Sequence, residues 1–339
     1  MITDARVLQP EFVPSDVVHR DAEINYLSST LDPLTHGNPA EPAFLYGPPG
    51  TGKTCIAQYT LEKLCENLLN INTQYVNCWE DYSRFKTLYR ILEGIDKTLD
   101  IHRQSTPTDE LLERLQNYDG PPYVVILDEV DQLEDKNILY DLYRTKSLTM
   151  ILVANHEEEF FSQLNSRLVS RLQTSARIHF DQYSKQELMR ILQDRVRWGV
   201  RPDVVTESQL ESIADAAAGD ARVAIGILRN AAQSAGQTDS GVIDEATIKN
   251  AVSEAKVEIR QTNVEKLTDD QQIVYDIITE HGEIAPNELY EAYEQKAPNP
   301  RSQRMVRNYL SKLSRYNLIV ADGRNRGRKY RVVPSEDSN

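Results

Sequence analysis

The sequence predicts a multidomain α/β protein. A parallel sheet covered by helices on both faces comes first, then a small all-helical domain, then a unit of helices closed by a basic hairpin. Three observations predict this. Short apolar runs alternate with helical patterns from about residue 43 to residue 180, as in a sheet built from crossover helices. One run, Tyr123–Leu127 (YVVIL), is apolar throughout, as a strand buried on both faces requires. After Phe180 the strand signal stops and helical periodicity continues alone until a hairpin pattern near the end. A length of 339 residues fits two or three domains, because single cores rarely grow beyond about 250–300 residues.

In order along the chain, residues 1–40 are a proline-punctuated arm with one helical stretch over Arg20–Leu34. Ala43–Gly47 (AFLYG) predicts a strand, Lys53–Asn70 a helix, Thr73–Asn77 a strand, and Ser83–Leu99 and Thr108–Asn117 two helices. Tyr123–Leu127, Leu148–Ala154 and Ala176–Phe180 predict three further strands. Lys185–Trp198, Glu207–Ala217, Ala221–Ser234 and Asp244–Val257 predict four helices. The polar, charged run Lys256–Leu267 reads as a linker. Asp269–His281, Pro286–Gln295 and Ser302–Tyr316 predict helices, and Leu318–Ala321 with Lys329–Val332 a basic hairpin. The expected domains are therefore 1–180, with the arm at about 1–40, then 181–257, a linker at 258–267, 268–333, and a tail at 334–339.

Composition excludes several classes. With 40% hydrophobic and 27% charged residues the chain is neither disordered nor membrane-spanning. No apolar run approaches about 18 residues, and the first residues lack the apolar core of a secretory signal. Three cysteines (Cys55, Cys65, Cys78) give no disulfide framework, and no Cys/His cluster has zinc spacing. A cytoplasmic protein is expected. The net charge is −14, and the 38 basic residues are mostly arginine, which points to a high-salt cytoplasm. That charge alone argues against nucleic acid. Yet residues 301–331 hold ten basic residues and one acidic residue, a local +9 that leaves −23 on the rest.

The strongest motif is Gly47-Pro48-Pro49-Gly50-Thr51-Gly52-Lys53-Thr54, between a strand and a helix. The glycines let backbone N–H groups turn inward around phosphate oxygens, and the helix N-terminus adds favourable potential for an anion. Lys53 supplies a point charge to the β- and γ-phosphates, and Thr54 offers a hydroxyl to Mg²⁺. Asp128 and Glu129 end the buried strand, where ligands bind in parallel sheets. Asp128 would hold Mg²⁺ and Glu129 orient or deprotonate a water, unless the two belong merely to an acidic loop. Asn155, after the strand Leu148–Ala154, could position that water or cap the helix at Glu157–Phe161. Arg167 or Arg171 could reach a neighbouring subunit's γ-phosphate, or be solvated surface. Arg222, in Gly219-Asp220-Ala221-Arg222, could reach back to the phosphates or be an ordinary surface arginine.

Together these residues resemble an AAA+ ATPase. The flanks narrow the resemblance to the archaeal origin-recognition and helicase-loader (Orc/Cdc-type) family. Phe12-Val13-Pro14 with His19-Arg20-Asp21-Ala22-Glu23-Ile24 is similar to that family's N-terminal signature. Phe180-Asp181-Gln182-Tyr183, Glu187-Leu188 and Arg195 are similar to its lid. The order ends in a C-terminal winged helix. The resemblance implies an AAA+ domain, an all-α lid and a winged helix. It implies ATP or ADP with Mg²⁺, Thr51, Gly52, Lys53, Thr54 and Cys55 around the phosphates, and Tyr183 and Arg195 on the nucleotide from the lid. It also implies Arg222 as second sensor, Arg167 as the finger in trans with Arg171 as fallback, and Val13, Pro14 and Arg20 beside the adenine. Family members carry a DNA-touching helical insertion. Here it would be Cys78–Tyr118, whose His102–Pro107 turn lacks glycine.

The helix Ser302–Tyr316 has two faces. Projected at about 100° per residue, Arg304, Arg307, Asn308, Ser311 and Arg315 fall on one side and Val306, Leu310 and Leu313 on the other. Arginine and asparagine can read guanine and adenine edges in a major groove. Arg324, Arg326, Arg328 and Lys329 would form a wing gripping phosphates or the minor groove. The expected function is a DNA replication initiator that binds origin duplex and helps load a replicative helicase of MCM type. ATP binding and slow hydrolysis would be its switch, and it would self-associate or work beside sister initiators. The alternatives are a RuvB-like branch-migration motor and an ATP-gated DNA-binding regulator or diverged paralogue.

Overall fold

A computed structural model describes residues 1–68, 70–102, 105–201, 204–237, 243–323 and 328–333. They fall into two compact units that divide between Ile248 and Lys249.

The first unit begins with a 3-10 turn, Ala5–Leu8, whose N-terminus is capped by the Asp4 carboxylate. Helix α1 (Asp21–Leu31) passes into a second 3-10 turn at Asp32–His36, where Pro33 has no N–H for a further α-helical bond. Next come β1 (Ala43–Tyr46), α2 (Lys53–Asn67), β2 (Asn72–Asn77), α3 (Arg84–Glu93), α4 (Thr108–Gln116) and β3 (Tyr123–Asp128). Then α5 (Ile138–Tyr143), β4 (Leu148–Ala154), α6 (Glu157–Ser162), α7 (Ser166–Leu172) and β5 (Ala176–His179) complete the α/β part. The strands lie in the order β2-β3-β4-β1-β5, all parallel. Every residue of β3 is buried. Val125 and Leu127 pack with Leu88 and Ile91 of α3 and Leu111 and Leu115 of α4. Val124 and Ile126 pack on the opposite face with Leu27 and Leu31 of α1 and Ile56 of α2. Helices thus cover both faces, and the central strands end side by side at one edge of the sheet.

Some elements differ from the sequence reading. Helix α3 stops at Glu93 rather than Leu99, because Gly94 follows it and Asp96 then adopts a left-handed φ of 55°. Helices α5 and α7 have only 6 and 7 residues, too few for a periodic pattern.

Three helices finish the unit: α8 (Lys185–Gly199), α9 (Glu207–Ala217) and α10 (Ala221–Gln237). Capping boxes at Ser184/Glu187 and Thr206/Gln209 start the first two. Helix α11 (Glu245–Glu265) follows, and the division between the units falls within it. The run expected as a linker at 258–267 is therefore helical through Glu265. Its Glu, Lys, Arg and Gln residues are good helix formers even without an apolar stripe.

The second unit contains α12 (Asp269–His281), β6 (Glu283–Ile284), α13 (Pro286–Lys296), α14 (Gln303–Arg315), β7 (Ile319–Asp322) and β8 (Lys329–Val332). Its strands form an antiparallel sheet in the order β6-β8-β7. Helix, short strand, two helices and a hairpin are the order of a winged helix. The two-residue β6 is too short to read from sequence. Ile277, Leu289, Tyr293, Val306, Leu310 and Leu313 form the core. Arg324 and Arg326 lie outside the described residues. Among those described, no helix is long and apolar enough to cross a membrane.

Candidate functional site

Residues Gly47 to Gly52 carry the chain from β1 into α2. Gly50 and Gly52 have φ of +71° and +90°, and each is approached closely from outside the loop. A Cβ on Gly50 would run into the Asp220 carboxylate, and one on Gly52 into the Tyr183 hydroxyl. Only glycine permits this backbone and this proximity together. Pro49 is exposed at the loop's tip, while Thr51 is buried and donates from Oγ1 to the Pro48 carbonyl at 2.9 Å. Lys53 is 7% exposed, and its Nζ donates to the carbonyls of Gly47 and Pro48, both at 2.7 Å. Burial, with the positive charge of Arg222, brings the Lys53 amine down to about 8. Two residues on, burial pushes the Cys55 thiol up to about 11, so it is a neutral packing group.

Asp128 closes β3 and is also buried. Its Oδ2 accepts from Thr54 Oγ1 and from the Tyr75 hydroxyl, each at 2.8 Å, and its Oδ1 from the Glu129 N–H at 2.9 Å. Burial raises the Asp128 carboxyl above its usual value, and the two hydroxyl donors oppose that shift. Glu129 takes a left-handed φ of 52°, an uncommon conformation for a side-chain-bearing residue, and turns the chain sharply off the strand. Tyr75 was not expected from the sequence. Strand β2 pairs with β3 so that Asn77 faces Asp128, which puts Tyr75 on the carboxylate's side of the sheet. Alternation within NTQYVN is the only local hint, and it does not give the pairing register.

Asn155 follows β4, the strand between β1 and β3. Helix α6 is preceded at its N-cap position by His156, so the capping alternative for Asn155 is set aside. The lid residues approach from α8 and α10. The Tyr183 ring is buried beneath the Arg20 guanidinium, 4.2 Å from the ring centroid. Arg20 also pairs with Glu23 at 2.9 Å and donates to the Asp181 carbonyl at 2.5 Å. At the start of α10, the Ala221 N–H donates to the Gly50 carbonyl at 3.0 Å. The Asp220 carboxylate accepts from the N–H groups of Arg222 and Val223 at 2.8 and 3.2 Å. Arg222 reaches Asp220 at 3.6 Å and its charge is felt at Lys53.

One placement departs from the picture the resemblance implies. Arg195 lies on the buried stripe of α8 with Leu188, Leu192 and Gly199. Its guanidinium is taken up by the arm: it donates to the carbonyls of Val7 and Phe12 at 2.9 and 3.1 Å and lies over the Phe12 ring. It therefore anchors the arm just before Val13 and Pro14, both half-buried. Arg167 and Arg171 are both exposed on α7, with the Arg171 guanidinium 5.9 Å from the Tyr143 ring centroid.

In the second unit, α14 buries Val306, Tyr309, Leu310 and Leu313 and exposes Arg304, Arg307, Asn308 and Ser311. Arg315 is half-buried. Arg307 is steadied from α13, donating from Nε to the Tyr290 hydroxyl at 3.2 Å. Arg328 and Lys329 are exposed beside β8, and Lys329 lies 3.4 Å from Glu283, a solvated pair of little energetic weight.

The donor set of the first unit fits a nucleoside triphosphate with a hard divalent cation. It combines a glycine loop opening a helix, a buried ammonium, and a hydroxyl hydrogen-bonded to a carboxylate.

Comparison with known proteins agrees with that chemistry. Residues 38–164 match the AAA domain family, and residues 189–253 match the Cdc6 AAA+ ATPase-type lid domain. ORC1-type DNA replication protein 1 of Halobacterium salinarum is 59% identical over 308 residues, covering 91% of this chain and 100% of that protein. ORC1-type DNA replication protein 9 of the same organism is 51% identical over 335 residues, covering 99% and 95%. The solved structure of the Aeropyrum pernix Orc1 protein in complex with DNA matches with a TM-score of 0.77 at 25% identity, covering 99% of this chain and 94% of that one.

Proposed function

The chain belongs to the ORC1-type DNA replication proteins, AAA+ ATPases with a Cdc6-type lid, and on that premise we propose that it is an ATP-switched initiator of DNA replication. It binds origin duplex through the winged helix and helps recruit or load a replicative helicase of MCM type. One observation carries the reading: a single chain joins the Lys53–Thr54–Asp128 cradle to an exposed Arg304, Arg307, Asn308 and Ser311 face on α14. The Aeropyrum pernix relative, whose structure is that of a complex with DNA, supports carrying duplex binding to this chain.

In this reading the loop N–H groups and Lys53 bind the phosphates, Val13, Pro14 and Arg20 border the base, and Tyr183 lines the nucleotide from the lid. Thr54 and Asp128 would hold Mg²⁺, which when bound would offset negative charge on the γ-phosphate. Glu129 takes a proton from water that Asn155 orients, and Arg222 registers the γ-phosphate from the start of α10. Arg167 acts in trans on a neighbouring copy, with Arg171 as the second choice. A site complete only in an assembly makes turnover slow. On DNA, the α14 face reads base edges, and Arg328 and Lys329 grip phosphates. Family membership favours this reading over a branch-migration motor.

The test is capture of randomly sheared genomic DNA of the source organism on the full-length protein with ATP, followed by sequencing. Enrichment at one or a few discrete sites containing repeated elements is expected. Binding spread evenly over the genome would overturn the origin-specific reading and leave α14 as a phosphate grip.

A further inference from the structure

We propose that Tyr75 is a positioning residue for the metal-binding carboxylate, its hydroxyl fixing Asp128 so that one lone pair is left for the cation's shell. The inference rests on the reading of Thr54 and Asp128 as the Mg²⁺ pair. A carboxylate has about four acceptor sites. Thr54 Oγ1 and the Tyr75 hydroxyl take the two on Oδ2, and the Glu129 N–H takes one on Oδ1. The remaining site is the second lone pair of Oδ1. Asp128 therefore has one direction in which to accept from a metal-bound water. A carboxylate's terminal torsion is otherwise soft.

The three donors are not equivalent. The Glu129 N–H is fixed by the turn after β3. Thr54 must also turn an oxygen lone pair towards the cation, so its hydroxyl serves two partners. Among the described residues the Tyr75 hydroxyl bonds to Asp128 alone, and its ring stands on β2, which is held in register against β3. Tyr75 is still 37% exposed, because β2 is an edge strand of the sheet. Trimming its hydroxyl therefore changes the hydrogen bonding of Asp128 without opening a cavity in the core.

The experiment measures binding of a fluorescent ATP analogue to full-length wild type and Tyr75→Phe, titrating Mg²⁺ at fixed nucleotide, with parallel binding in EDTA. Partners that orient a metal ligand are worth on the order of 10–100-fold in metal affinity. Tyr75→Phe is expected to need about tenfold more Mg²⁺ for half-maximal binding, while its affinity in EDTA stays that of wild type. The EDTA measurement also shows that the variant is folded. Equal Mg²⁺ midpoints would overturn the proposal. So would an equal loss with and without Mg²⁺, because Tyr75 would then be shaping the loop rather than the carboxylate. Wild-type binding indifferent to Mg²⁺ would overturn the Thr54–Asp128 reading and this inference with it.

Discussion

Lys53 carries two conflicting demands. Phosphates need it protonated, yet burial disfavours the charge and brings its amine from 10.5 to about 8. The Gly47 and Pro48 carbonyls offer the ammonium some compensation. The sign follows directly. Without nucleotide, Lys53 is largely protonated at pH 6.5 and increasingly neutral above pH 8. A bound triphosphate favours the protonated form, so binding near and above pH 8 must take up a proton. Affinity should thus be flat at acidic pH and fall above pH 8, by at most about tenfold per pH unit. Calorimetric titration in two buffers of different ionisation enthalpy reads this directly. Roughly half a proton taken up per nucleotide at pH 8, and little at pH 6.5, is expected. Buffer-independent heats at pH 8 would show that Lys53 is fully charged before nucleotide arrives.

At the scale of elements, the start of α10 ties the lid to the phosphate loop. Asp220 caps the helix through the Arg222 and Val223 N–H groups, while the Ala221 N–H holds the Gly50 carbonyl. Asp220→Ala should cost about 1 kcal/mol of unfolding free energy in urea, and Asp220→Asn, which keeps an acceptor oxygen, should restore most of it. Equal losses would assign Asp220 to charge rather than capping. Elements of this kind also mark what was legible in the sequence. Strand β4 and helices α9 and α12 have the boundaries expected from the sequence pattern. The phosphate loop and Asp128 were legible because their chemistry is local to a few consecutive residues. Tyr75 and the true partners of Arg195 were not. The first depends on β2–β3 register, and the second on an arm nearly two hundred residues distant in sequence. The end of α3 was missed because one glycine outweighed a continuing helical pattern.

At the scale of the whole molecule, charge is divided along the chain as sharply as fold is. Residues 301–331 carry +9, the remainder −23. An acidic body repels duplex DNA, so in the proposed function binding would rest on a few specific cations rather than on a general basic field. Each phosphate contact releases counterions and adds about −0.9 to the slope of log affinity against log salt. Base contacts add discrimination of about 1–3 kcal/mol per bidentate pair. Two exposed arginines should separate these effects. Arg328→Ala should weaken binding to all sequences alike and make the salt slope shallower by about 1. Arg304→Ala should narrow the gap between a captured site and random duplex by about 1–3 kcal/mol. Arg307, held by Tyr290, is the less clean choice, because its loss also breaks a contact within the unit. Fluorescence anisotropy with both duplexes across a salt series measures slope and gap together. If the two variants lose affinity equally on specific and random DNA with the same change of slope, α14 is a second phosphate grip, and sequence must be read by residues elsewhere in the chain.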